Sequence, residues 1–181
     1  MPPRTRRPSR PAKPAMPVPE GAREVFTDGA CAGNPGPGGW AWALDEAVWA
    51  SGAESPSTNQ RMEVRAAYEA VRANEGPLLV VSDSTYVVNC FRDAWWRGWR
   101  SRGWTNSSRQ PVANRDLWEP FVDLVEARGD VAFRWVKGHS GDRMNDLVDR
   151  LAVAAAKDGG STGRSAPPPA AAAPAGDDAL F

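Results

Sequence analysis

Cysteine is nearly absent from this sequence. The 181-residue chain has two, Cys31 and Cys90, too few for a disulfide framework and without the spacing of a metal-binding cluster. A disulfide-stapled scaffold and a zinc module are therefore excluded, and a reducing, cytoplasmic setting is expected. No apolar run approaches the ~20 residues of a membrane span. The start of the chain lacks the apolar segment of a secretory signal, and its prolines rule out the amphipathic helix of an organelle transit peptide. Histidine occurs once, at His139. Net charge is also missing: 22 basic residues balance 22 acidic ones.

That balance hides a segregation. Residues 1–23 carry six basic groups against Glu20 alone, and residues 24–156 hold 14 basic and 18 acidic groups. Inside this acidic body, residues 92–109 contain five arginines and one aspartate. A basic patch on an acidic body points to one surface that faces a polyanion.

The length suits one domain with tails. Residues 1–22 are rich in Pro and Arg, without periodicity, and are expected to be a disordered basic tail, with Met16 an alternative start. Residues 158–181, rich in Gly, Pro and Ala, form a second expected tail. The body, 23–157, reads as strands first and then alternating elements. Strands are expected over 24–28, 40–44 and 47–53. A helix is expected over 61–74, where Met62, Ala66, Ala67, Ala70 and Val71 recur every three or four residues. Leu78–Ser82 is a continuous apolar run, as in a central strand covered on both faces. Helices over 84–92 and 113–127, a fifth strand over 131–136 and a closing helix over 145–156 complete an α/β pattern: a five-stranded mixed sheet flanked by helices.

Four acids sit where acids are awkward. Asp28 and Asp83 end apolar strands, Glu63 opens a helix on or near its apolar stripe, and Asp149 lies on the last helix beside Val148 and Leu151. Strand-end carboxylates of an α/β sheet fall at the edge where ligands bind. Taken singly, each acid reads equally as a helix cap or a solvated loop residue. If the four converge, their repulsion demands a neutraliser. An all-oxygen donor set selects Mg²⁺ or Mn²⁺ over zinc. Two such ions would suit an in-line phosphoryl displacement. His139 lies between Gly138 and Gly141; alone it reads as a surface residue or as a proton carrier near neutral pH.

The segments FTDGACAGNPGPGG (26–39), TNQRME (58–63), SDSTYV (82–87), VKGHSG (136–141) and NDLVD (145–149) resemble the bacterial-type ribonuclease HI family in order and spacing, over roughly residues 24–156. The resemblance implies a ribonuclease H-like fold with a basic handle. It implies an endonuclease that hydrolyses the RNA strand of RNA–DNA hybrids with two metal ions, Mg²⁺ or substituting Mn²⁺, leaving 3′-hydroxyl and 5′-phosphate ends. Asp28, Glu63, Asp83 and Asp149 map to the family's metal-binding acids and His139 to its catalytic histidine. Asn34, Thr58, Asn59, Gln60 and Asn114 map to substrate contacts. Gln60 stands where Asn is often found, a change that keeps the amide, which can donate to and accept from a ribose 2′-hydroxyl. The handle would span 92–112, with Arg97, Trp99, Arg100 and Arg102 facing the hybrid, while Trp95 and Trp104 are expected to pack on the core. Ser101 and Thr105 stand where bacterial relatives often carry lysine, a dilution that would either weaken substrate binding somewhat or be offset by the basic N-terminal tail.

Two other readings share these features: a hybrid-binding module with a dead site and a DNA-directed nuclease of the same fold. The first predicts loss of a carboxylate, and none is lost. The second sits poorly with the GNPG and TNQRME segments. The chain is expected to act as a monomer. Its end, Asp177-Asp178-Ala179-Leu180-Phe181, resembles short peptides that dock on a sliding clamp or end a single-strand-binding protein, so either is a candidate partner of this tail.

Overall fold

The computed structural model describes residues 13–158 and 163–164. Residues 1–12 and 165–181, with the acidic Leu-Phe terminus, lie outside the described residues. Six strands and five helices follow one another as β1 (Arg23–Cys31), β2 (Gly36–Ala43), β3 (Trp49–Ser57), α1 (Asn59–Ala73), β4 (Leu78–Ser82), α2 (Thr85–Arg92), α3 (Trp95–Ser101), α4 (Arg115–Arg128), β5 (Val131–Trp135), α5 (Arg143–Asp158) and β6 (Gly163–Arg164).

The sheet order is β5-β4-β1-β2-β3-β6. The first three strands form an antiparallel meander, and β4 and β5 add to β1 in parallel. The expected five-stranded mixed sheet is present. The two-residue β6 extends its edge by pairing with Trp49 and Ala50 of β3. It lies inside the segment read as tail, because two residues carry no apolar periodicity for a sequence reading to find.

Side chains alternate across the strands, and this sorts the core into two layers. Val25, Leu78, Val80 and Phe133 face one side, where α1, α2 and α4 supply Val64, Val71, Val88, Phe91, Trp118 and Phe121. Phe26, Leu79, Val81 and Ala132 face the other, where α5 supplies Val148 and Ala152. The first layer is aromatic: Phe91 stacks on Phe133 with centroids 4.1 Å apart and meets Phe121 edge-on.

The glycines of the 26–39 segment do more than make a turn. A Cβ on Gly29 would lie 2.3 Å from the backbone nitrogen of Glu63, and one on Gly39 would lie 2.0 Å from the carbonyl oxygen of Ala152. Only glycine lets α1 and α5 lie this close to β1 and β2. This is also why β2 begins at Gly36, in a stretch that reads as loop by composition.

Candidate active site

The register of the sheet brings the first two carboxylates together. β1 and β4 run parallel, with Thr27 opposite Ser82. One residue further stand Asp28 and Asp83 on strands about 5 Å apart: Asp83 follows the last residue of β4 as expected, but Asp28 lies inside β1, which runs on to Cys31 paired with β2. By alternation Asp28 shares the face of Phe26, the face covered by α5, and α5 carries Asp149. Gly29 points the other way and admits the backbone of α1 at Met62 and Glu63.

The electrostatics are those of neighbouring carboxylates. Asp28 is buried at 7% exposure. Burial first, then Asp83, Asp149 and Glu63, push its carboxyl up to about 8, against the pull of the Gly29 N–H, which donates to Oδ1 at 2.8 Å. Burial and then Asp83 raise Glu63, while a hydrogen bond from Ser84 opposes them. The Ser84 hydroxyl donates to Glu63 Oε2 at 2.6 Å and accepts the Val87 N–H, so one side chain caps α2 and orients Glu63. Asp83 is raised by burial and by Asp149, and is held back by a hydrogen bond from Asn145 and by His139. Each carboxylate thus feels at least one of the others. Among the described residues, no three His, Cys, Asp or Glu side chains stand at ligand distance from a single point; the four share one field rather than one centre.

Three residues of this site were not singled out in the sequence. Ser84 is one. Asn145 is another: it is 2% exposed, its amide donates to Asp83, and its Oδ1 has no protein partner. The third is Trp135, 46% exposed, whose indole N–H donates to the Asp83 carbonyl at 2.9 Å. Ser84 and Asn145 both lie within the quoted motifs, so their positions were a signal; the partner of Trp135 is 52 residues away.

His139 lies exposed in the loop between β5 and α5 with φ 53°, near enough to Asp83 to favour its ionised carboxylate. On the other side of Glu63, Thr58 caps α1, its hydroxyl accepting the Arg61 N–H. Asn59 and Gln60 are exposed, and Asn34 Oδ1 accepts the Asn59 N–H at 3.4 Å. Arg61 makes two hydrogen bonds to Asp116 of α4, at 2.9 and 2.7 Å, and also pairs with Glu54. That pairing ties α1 to the start of α4, where Asn114 sits with φ 59° and its side chain bonds Tyr86. Asn34, Thr58, Asn59 and Gln60 thus lie together at the start of α1, the helix that carries Glu63.

The Trp/Arg segment divides differently. Trp104 is buried as expected, but Trp95 is 36% exposed, and it is Trp99 that packs inward, its ring 5.7 Å from Trp118 and 6.2 Å from Trp104. Arg100 pairs with Asp123 and Glu126 of α4 at 2.8 and 2.6 Å. Arg97 lies over Trp96, and Arg102 donates to the Thr105 carbonyl.

The donor set suits hard divalent cations. Burial, and then the neighbouring carboxylates, push Asp28 toward its protonated form, and a cation with oxygen preference would relieve this. Among the described residues no helix is long and apolar enough to cross a membrane.

The sequence profile of the family described as RNase H matches residues 20–157. The chain is 45% identical to the Ribonuclease H of Syntrophomonas wolfei over 139 residues, which cover 74% of this chain and 94% of that protein. It is 48% identical to the Ribonuclease H of Erythrobacter litoralis over 138 residues, with the same coverage. Against the Ribonuclease H of Thermus thermophilus the identity is 46% over 141 residues, 75% of this chain and 84% of that protein. Among solved structures it resembles LC9-RNase H1, a type 1 RNase H with the type 2 active-site motif, with a TM-score of 0.65 and 29% identity over 82% of this chain and 79% of that one. Agreement of profile, close relatives and fold over the same body shows that the chain belongs to the ribonuclease H family of enzymes.

Proposed function

We propose that this chain is an endonuclease that hydrolyses the RNA strand of RNA–DNA hybrids with divalent metal ions, leaving 3′-hydroxyl and 5′-phosphate ends. The observation that carries the reading is the placement of buried Asp28 beside Asp83, Asp149 and Glu63, where burial first and then these neighbours push its carboxyl up to about 8. Asp28, Glu63, Asp83 and Asp149 would hold the ions, Mg²⁺ with Mn²⁺ substituting. Two bound ions would supply an activated water and stabilise both oxygens of the displacement.

The chain's own groups do the rest. Ser84 and Asn145 hold Glu63 and Asp83 by donating hydrogen bonds to their carboxylates. His139, on an exposed loop beside Asp83, carries a proton to or from the reacting phosphate. Asn34, Asn59 and Gln60 present amides to the minor groove, where a 2′-hydroxyl distinguishes RNA from DNA. Thr58 and Asn114 receive a backbone phosphate. Arg97, Trp99, Arg100 and Arg102 belong to a handle that receives the duplex further along, with Trp99 and Arg100 holding its shape and Arg97 and Arg102 meeting phosphate. The enzyme acts as a cytoplasmic monomer, and its Asp177–Phe181 end docks on a sliding clamp or a single-strand-binding protein.

The test is a set of single carboxamide variants, Asp28→Asn, Glu63→Gln, Asp83→Asn and Asp149→Asn, assayed on a hybrid in Mg²⁺. All four should lose cleavage while keeping a native circular-dichroism spectrum. Near-normal cleavage by any folded variant removes that residue from the metal set, and near-normal cleavage by two overturns the mechanism.

A further inference from the structure

Thr58 and Asn114, the two residues read as holding a backbone phosphate, are both helix N-caps: Thr58 begins α1 and Asn114 begins α4. The Asn114 backbone is left-handed at φ 59°, and its side chain does not cap its own helix. The amide reaches Tyr86 instead, which leaves it a second N–H for a ligand.

One residue joins the two caps. The Arg61 backbone N–H donates to the Thr58 hydroxyl at 3.2 Å. The guanidinium of the same residue donates to both oxygens of Asp116, at 2.9 and 2.7 Å, across 55 residues of chain. Asp116 stands two residues after Asn114, in the first turn of α4. Arg61 also pairs with Glu54 of β3, so α1, α4 and β3 meet at one guanidinium. The pairs Arg65–Glu69, Arg72–Glu69 and Arg115–Glu119 each lie within a single helix and position nothing beyond it. Arg61, with its side chain only 21% exposed, makes the fork-on-fork contact that fixes orientation as well as distance. Two acids face this one cation, so Arg61 has no unmatched charge to offer a phosphate. What it supplies is the spacing of the two helix starts.

We propose that Arg61 is a positioning residue for hybrid binding: by clamping α1 to α4 through Asp116 it holds Thr58 and Asn114 at the separation from which both reach one backbone phosphate. The inference rests on the hybrid-nuclease reading for its ligand. The clamp acts on affinity and not on base preference, because a backbone phosphate carries no sequence information. It also acts equally on bound substrate and transition state, so it belongs to KM and not to kcat.

The test is fluorescence anisotropy of the full chain on a labelled hybrid at fixed salt, in EDTA so that the strand stays intact. Asp116→Asn decides by sign. The Asp116 side chain is 63% exposed, so the variant keeps the fold, and removing an acid near bound phosphate tightens binding by charge alone. A lost clamp instead weakens binding on the order of tenfold, the worth of one hydrogen bond to a charged group. Arg61→Lys keeps the charge but loses the planar fork, and should weaken binding to a similar degree. An Asn114→Gly background removes the amide and suits the left-handed backbone. There the separation no longer matters, and both losses should shrink to within about twofold. In Mg²⁺ the two variants should raise KM and leave kcat within about twofold of the parent.

Binding by Asp116→Asn as tight as the parent's or tighter, parent-like binding by Arg61→Lys, or equal losses in both backgrounds would overturn the proposal. A chain that binds hybrid with the expected dependence but cuts no strand sinks the nuclease reading alone. A chain that cuts hybrid with clamp-independent binding sinks this inference alone, and one that binds no hybrid sinks both.

Discussion

Asp28→Asn should stabilise the metal-free protein, and by an amount that depends on pH. The carboxyl of Asp28 is raised from its ordinary 3.8 to about 8 in the folded chain. Between these values the folded state holds a proton that the unfolded state has released. Stability therefore falls as pH rises through this window, by about 1.4 kcal/mol per pH unit for one group. The cost is small near pH 4, reaches about 4 kcal/mol at pH 7 and levels off only as pH passes about 8. Glu63 and Asp83 are raised by the same causes and steepen the same trend. Asparagine fills the same volume and never ionises, so the variant escapes the Asp28 share. For a body of this size 1 kcal/mol is roughly 3 °C. Thermal unfolding followed by circular dichroism in EDTA should give the variant a Tm roughly 10 °C above the parent at pH 7, with the gap closing to about 2 °C at pH 4. Added Mg²⁺ should raise the parent and not the variant, since only a site that binds gains from linkage. A gap of equal size at both pH values, or no gap at pH 7, would refute the account of Asp28.

Other perturbations test the neighbours. His139→Ala should lower turnover on the order of 10²–10⁴-fold with unchanged hybrid affinity; equal single-turnover and steady-state rates would make it a surface residue. Ser84→Ala should cost about 1 kcal/mol through the lost α2 cap and lower kcat more than it raises KM; a thermal loss with intact kcat would leave Ser84 a cap only. Gly39→Ala should prevent stable folding or cost several kcal/mol, because its Cβ would meet the Ala152 carbonyl at 2.0 Å; a variant within 1 kcal/mol of the parent in urea unfolding would show that α5 can move away. Arg100→Ala should change stability by less than about 1 kcal/mol, as its ion pairs are exposed, whereas Arg97→Ala with Arg102→Ala should raise KM and flatten its salt dependence. The reverse ranking in KM would place Arg100 against phosphate.

Local pattern carried much of this into the sequence. Leu78–Ser82 reads as a central strand because all five residues are buried. Asp83 was legible because it follows an apolar strand that ends at Ser82, whereas Asp28, read as a strand end, lies inside β1, whose last residues run through Gly29 to Cys31 against the glycines of β2. What escaped depends on partners far along the chain. Arg100 counted as a free cation until Asp123 and Glu126 came beside it. Trp95 and Trp99 could not be told apart by composition, since which ring points inward depends on the rotation of α3 against Trp118. The glycines looked like turn formers, and their role as contact points for α1 and α5 appears only when helix backbone lies against them. Asn145 sat inside a recognised motif, but a lone amide on a helix does not announce that it holds a carboxylate 62 residues earlier.

The central claim is strand-selective cleavage by the carboxylate site, and one gel tests it most directly. Each strand of a hybrid is end-labelled separately and incubated with the protein in Mg²⁺, with an EDTA lane and with duplex DNA and duplex RNA of the same sequence beside it. The account predicts fragments from the RNA strand of the hybrid only, ending in 3′-hydroxyl and 5′-phosphate, and none in EDTA. Cleavage of the DNA strand or of duplex DNA, or RNA cleavage that persists in EDTA, would contradict it.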